Sequence, residues 1–318
     1  MVAAIGQFLA QALRTAGLLL GIVTLVFLGV RAAPGDPIDH LLGETATEAE
    51  RSSLRHQLHL DGPLWQQFGA MLGEIGDGTL GTSRAVAGQP VPVSGLIIDR
   101  LPSTLALALA SLAAAIAFAL PLGIIGACWR GRWPDHLARI WSLLGVSLPA
   151  FVSGPLAIFV FAVVLRWAPT PAHDAHPLAA LALPALVIGF ALSGRLARLL
   201  RSSLVEALGS DMANAWRARG ADERRVLWRH AVPNALLPVV TLLGLQLAAL
   251  LGGALVTEKI FGRKGLGTLL LDGIAARDHA VVQGCVLTIG ALYVLAMHTS
   301  GAMAAWLDPR LRRPAADP

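Results

Sequence analysis

The sequence predicts an all-α membrane protein with six transmembrane helices. Three observations carry that reading. Hydrophobic residues make up 55% of the 318 and charged residues only 14%, where a soluble domain holds about 25% charged residues. Mean hydropathy is +0.64. The apolar residues fall in runs long enough for the roughly 20 helical residues that a bilayer needs, with polar stretches between them.

Residues 8–30 form the first run. It is long for the apolar part of a signal peptide, Arg31 follows it directly, and more spans come later, so it reads as a first transmembrane helix. In RAAPGDP, Pro34 and Pro37 end that helix, because proline offers no backbone N–H and clashes with the preceding turn. Residues 36–102 are mixed and polar. GETATEAERSSLRHQLHL reads as an amphipathic helix capped by Thr45 or Thr47, whose hydroxyls can accept from free N–H groups of the first turn. DGPLWQQFGAMLGEI reads as a second short helix, and GDGTLGTSRAVAGQP is rich in turn formers. A connection this long is expected to build a small subdomain on one membrane face.

Five further spans are expected at residues 103–128, 140–167, 178–194, 235–257 and 281–306. Pro121, Pro149, Pro155, Pro184 and Pro238 lie inside them, where neighbouring helices can satisfy the freed carbonyls. Small residues such as the Gly252–Gly253 pair allow close helix approach. The expected divisions are 1–31, 32–102, 103–306 and a tail 307–318.

The net charge is +5, and its distribution sets the orientation. With the N-terminus inside, the inner segments hold Arg14, then Arg130, Arg132 and Arg139, then eight arginines from Arg195 to Arg229, then Arg310, Arg312 and Arg313. The short outer loops hold Arg166 in one, and Lys259, Arg263, Lys264 and Arg277 in the other. The positive-inside rule therefore places both termini in the cytoplasm and accounts for the basic loops without any nucleic acid.

Within the spans there is essentially no Asp, Glu, Lys or Arg, which argues against coupling to a proton or sodium gradient. Ser147, Ser153, Thr241, Gln246, Gln283, Thr288, His298, Thr299 and Ser300 are expected to bond between helices. Thr241 and Gln246 are the candidates for lining a path. No HExxH, GxSxG or P-loop pattern occurs, so the chain shows neither a catalytic set nor an ATPase motif. His173, Asp174 and His176 in PAHDAHP are expected to be solvated, and no cofactor or metal is expected. Cys128 and Cys285 are expected to be small buried hydrophobes. Energy for uphill transport would have to reach this chain from another subunit.

The stretch EALGSDMANAWRARGADERRVLWRHAVP, 206–233, interrupts the apolar pattern. A helix over 211–229 is expected, opened by Asp211, bent or broken at Gly220 and capped again by Asp222–Glu223. Trp216, Val226 and Leu227 give it an apolar side with basic flanks, which suits a groove on a partner.

This stretch resembles the cytoplasmic EAA loop of ATP-binding-cassette importer permeases in the dipeptide/oligopeptide/nickel branch. The pattern falls on Asn214, Ala215 and Trp216, then Gly220, then His230, Val232 and Pro233. RARGADERRVLWRHAVPNALLPVVTLLG is similar to that branch's own version. So are RAAPGDP, LHLDGPLWQQF, GTLGTS, DRLPSTLALA, GVSLPAF, TEKIFGRKGLGTLLLDGIAARDHAVVQG and LDPRLRR. Two departures stand out: Trp216 replaces a small residue, and Arg263–Lys264 replaces a Trp-Pro pair.

The resemblance implies a permease subunit of the bacterial inner membrane. It has a periplasmic subdomain after helix 1, and a cytoplasmic coupling helix, within 195–233, between helices 4 and 5. Asn214, Ala215, Trp216, Arg217, Arg219, Gly220, Asp222 and Glu223 would meet the ATPase. Implied partners are a second homologous permease, two cytoplasmic ATP-binding subunits, a periplasmic or lipid-anchored binding protein and membrane lipid. The implied cargo is di- or oligopeptide, with nickel or another small solute as the alternative. A stand-alone channel or secondary transporter is the alternative from another class.

Overall fold

The computed structural model describes residues 2–32, 47–57, 61–83, 86, 89–170 and 177–307. Thr45, most of RAAPGDP, the His173–Asp174–His176 cluster and the arginines of the tail lie outside the described residues.

Five helices among these residues are long and apolar enough to cross a membrane, over Leu13–Ala32, Val93–Cys128, Leu178–Leu208, Glu223–Gly252 and His279–Ala304. A sixth candidate is the pair Trp133–Ser147 and Ala150–Val164, bent by 104°. The span expected over 140–167 is therefore not one continuous helix. Leu148 and Pro149 are both extended, at φ −90°, ψ 113° and φ −63°, ψ 143°. Proline disfavours helical geometry in the residue before it and cannot donate to the turn behind it. The span expected over 235–257 also breaks: its helix stops at Gly253 and a six-residue helix, Leu255–Ile260, follows a turn at Ala254.

The chain forms two units. The first holds Met1–Thr104 and Arg263–Val294. Its α1 is Val2–Ala32, α2 is Glu48–Gln57 and α3 is Leu64–Gly76. Helix α2 starts directly after Thr47, one of the two expected caps. Phe27 of α1 meets Phe68 of α3 edge-on, with centroids 5.2 Å apart. Arg31 lies over the Phe27 ring at 4.3 Å, and its Nε donates to Gln67 Oε1 at 2.7 Å. Strand β1, Thr82–Ser83, pairs antiparallel with β2, Val91–Pro92, where α4, Val93–Cys128, begins. Helix α12, Leu266–Ala275, is tied to α4 by the Leu266 N–H donating to Thr104 Oγ1 at 2.8 Å. At the start of α13, His279–Leu307, Asp278 accepts from the Val281 N–H at 3.2 Å and from Ser83 Oγ at 2.8 Å. Val93, Ile97, Leu266, Leu269, Val281 and Cys285 make the core of this unit. Arg263 turns its Nη2 to Ser103 Oγ at 3.1 Å, while Lys264 is exposed.

The second unit holds Leu105–Gly262 and Leu295–Pro318. Helices α5, Trp133–Ser147, and α6, Ala150–Ala157 running on as a π-helical Ile158–Val164, form the bent pair. Helix α7 is Pro177–Leu208, α8 is Asp211–Ala218, α9 is Glu223–Val226, α10 is Val232–Gly253 and α11 is Leu255–Ile260. Helix α7 continues past residue 194, so Arg195, Arg198 and Arg201 lie on the same helix as the fourth span.

Glycines let α7 approach its neighbours at backbone distance. A Cβ on Gly194 would lie 2.6 Å from the Ser142 carbonyl oxygen, and one on Gly189 would lie 2.5 Å from the Ala114 Cβ. Trp141 seals the same region: its Nε1 donates to Ser193 Oγ at 2.9 Å, and its ring meets Phe190 edge-on at 4.7 Å. Leu196, Leu200, Leu204, Ala231, Ala235 and Val239 are central in the core between α7 and α10.

Two expectations about polar groups are corrected. Cys285 is buried but Cys128 is exposed, because α4 ends at it. Ser153, Thr241, Thr288 and Thr299 donate to carbonyls three or four residues back on their own helices rather than across to a neighbour, the usual local competition for a hydroxyl in a helix.

Candidate functional site

The polar stretch folds as helix, turn and helix, as its Gly220 break predicts, but its ends differ from expectation. The cap of α8 is Ser210, not Asp211: Ser210 is extended at φ −73°, ψ 157° and its Oγ accepts from the Ala213 N–H at 3.4 Å. Asp211 stands in the first turn, where a carboxylate meets the positive end of the helix dipole. Asp222 occupies the cap position of α9 without a side-chain cap bond.

Gly220 closes α8 at φ +81°. The Gly220 N–H donates to the Arg217 carbonyl at 2.9 Å and the Ala221 N–H to the Trp216 carbonyl at 3.1 Å. That pair of bonds is a Schellman stop, which satisfies the last carbonyls and needs a left-handed residue at this place.

The expected helix does not end at Arg229. Leu227–Ala231 is a π turn that runs straight into α10. Pro233 explains it: proline cannot donate to the Arg229 carbonyl and would crowd it, and the wider turn relieves the clash. The second half of the polar stretch is thus the first part of the fifth span.

Side chains brace the turn on both sides. Arg217 makes a fork on Glu223, Nε to Oε1 at 2.7 Å and Nη2 to Oε2 at 3.2 Å. Its Nη1 donates to the Leu208 carbonyl at 2.9 Å and to Asn214 Oδ1 at 3.1 Å. The bond to Glu223 raises the Arg217 pKa above its ordinary value. Trp216 lies flat on His230, with ring centroids 4.2 Å apart and planes 18° apart. Arg219 lies over the indole at 5.6 Å. Ala213 and Val226 are buried, while Met212, Asn214, Ala215, Arg219, Asp222, Arg224 and Arg225 are exposed. The segment therefore turns small and apolar groups to the bundle and a mixed, basic face outward.

The structure brings Asn214, Trp216, Arg217, Arg219, Gly220 and Glu223 into this one bracket. It separates the two path candidates. Thr241 is exposed on α10, whereas Gln246 is buried and its amide has no hydrogen-bond partner among the described residues.

One group near the polar face escaped the sequence reading. Asp135, in the first turn of α5, is fully buried. It accepts from Arg201 Nε at 2.6 Å and Nη2 at 2.8 Å, from Arg139 Nη2 at 2.8 Å and from the Gly131 N–H at 3.0 Å. It pins α5 to α7. The available signal was a lone carboxylate, one residue after Pro134, among the arginines Arg130, Arg132 and Arg139.

Comparison with known proteins decides the family. The family described as the binding-protein-dependent transport system inner membrane component matches residues 119–313. This chain belongs to it. A Brucella ovis protein described as a peptide permease is 40% identical to this permease over 306 residues, covering 93% of this chain and 95% of that one. The glutathione transport system permease protein GsiC of Escherichia coli O6:H1 is 39% identical over 290 residues, covering 91% and 92%. The permease also shares its fold with a solved structure of the MetNI methionine ABC transporter in an inward-facing conformation, at a TM-score of 0.57 and 17% identity, over 68% of this chain and 98% of that one. It is a multi-pass inner-membrane permease component of an importer.

Proposed function

We propose that this permease forms half of the translocation pathway of an ATP-driven importer of di- or oligopeptides, and that α8 is where the ATPase takes hold. The observation that carries it is the braced bracket of α8, Gly220 and α9, with Asn214, Ala215, Arg219, Asp222 and Glu223 outward and the second half continuous with a span. A stiff helix end that protrudes from a bundle can convert movement of a partner into rocking of the helices, which is the two-state behaviour alternating access requires. The relatives described as peptide and glutathione permeases support a peptide cargo.

In this reading both termini and 195–233 face the cytoplasm, and 32–102 forms the outer subdomain. A second permease completes the pathway, two ATPase subunits dock on the paired brackets, and a binding protein delivers cargo. The test is Arg219→Glu in the assembled importer. Peptide uptake and cargo-stimulated ATPase activity should fall, with membrane insertion unchanged, because a basic contact has been reversed. Full ATPase stimulation in that variant refutes the docking role. Peptide transport by this chain alone in vesicles refutes the dependence on an ATPase.

A further inference from the structure

We propose that the Trp216–His230 stack is the strut that carries movement of α8 into the fifth span, so that both residues position the coupling bracket. This rests on the docking role of α8 given above. The two rings stand on opposite sides of the break between α8 and α9. Trp216 lies in α8, before the turn at Gly220, and His230 is in the π turn that continues as α10. Their overlap is close to parallel at 4.2 Å, and the Arg219 guanidinium covers the indole at 5.6 Å.

The other links across this break are softer. The Arg217–Glu223 pair is partly exposed, and such pairs hold geometry weakly and are screened by salt. The main-chain turn depends on one left-handed glycine. A stacked aromatic pair resists sliding and tilting at the same time. The imidazole serves through its ring faces: its Nε2 is buried and makes no hydrogen bond among the described residues. A phenyl ring at this position would therefore keep the contact and lose no hydrogen bond at Nε2.

The experiment uses the complete importer, this permease with all of its partner subunits, in proteoliposomes. It reads peptide uptake per ATP hydrolysed and co-purification of the ATPase. Trp216→Ala should lower uptake per ATP about 3- to 10-fold, the range that an aromatic pair gives to an equilibrium, with the ATPase still co-purifying. His230→Ala should give the same loss, and the double variant no more than either alone. His230→Phe should restore coupling. Should Trp216→Ala fail to insert, Trp216→Phe alone and with His230→Ala runs the same cycle. The first then matches the native protein and the second matches His230→Ala.

Additive losses overturn the strut, as do unchanged coupling in both single variants or a His230→Phe protein as impaired as His230→Ala. Loss of ATPase co-purification in Trp216→Ala also overturns it, by making Trp216 a docking contact. The docking role itself fails separately, through Arg219→Glu with full ATPase stimulation.

Discussion

Replacing Asp135 by Ala should destabilise this permease far more than replacing Arg139, the more exposed of its two arginine partners. The carboxylate is fully buried, while the side chains of Arg201 and Arg139 are 20% and 55% exposed. Removing it strips Arg201 of two charge-assisted bonds and leaves a largely enclosed guanidinium without its counter-charge. Breaking a buried pair in this way costs about 3–5 kcal/mol. The Arg201 head retains some access to water, so the expected loss is at the low end, about 3 kcal/mol. Arg139→Ala removes a mostly solvated partner and should cost about 1 kcal/mol or less. Replacing both members, Asp135→Leu with Arg201→Met, removes the desolvated charges together and should cost less than Asp135→Ala alone. The assay is the unfolding midpoint of the purified protein in mixed micelles. Equal losses from Asp135→Ala and Arg139→Ala, or a double variant as unstable as the sum of its parts, would refute the view that Asp135 pins α5 to α7 by charge.

Two further outcomes follow from backbone geometry. Gly194→Ala should destabilise the fold by about 1–3 kcal/mol, the range for an overpacked contact, and so lower the unfolding midpoint, since its new methyl would sit 2.6 Å from the Ser142 carbonyl oxygen and a backbone atom cannot swing aside. Gly220→Ala should cost about 1–2 kcal/mol at φ +81°, and Gly220→Asn should cost less because asparagine tolerates the left-handed region. The same midpoint measurement ranks the two, and an equal loss would remove the conformational explanation.

Much of the architecture was legible from local rules. Apolar runs of sufficient length located the spans, and the Gly220 break foretold the two short helices. The structure departs from the local rules where two of them compete. Pro149 within an apolar run reads as tolerated in a span, yet the proline and its extended neighbour turn the chain by 104°. Asp211 looked like the cap, but Ser210 holds the extended geometry that lets an oxygen reach back to the first turn. The polar stretch looked separate from the fifth span, whereas a π turn before Pro233 merges them.

The sequence by itself determined the membrane class, the positions of the apolar runs, the broken helix around Gly220 and the resemblance that names its family, because hydropathy, helix length and turn chemistry act over neighbouring residues. Only the tertiary structure decided what Trp216 does, which arginine neutralises Asp135, and that Gln246 turns inward while Thr241 does not. Those pairings join residues up to 66 positions apart, and they follow from how helices cross, which no single stretch of chain encodes.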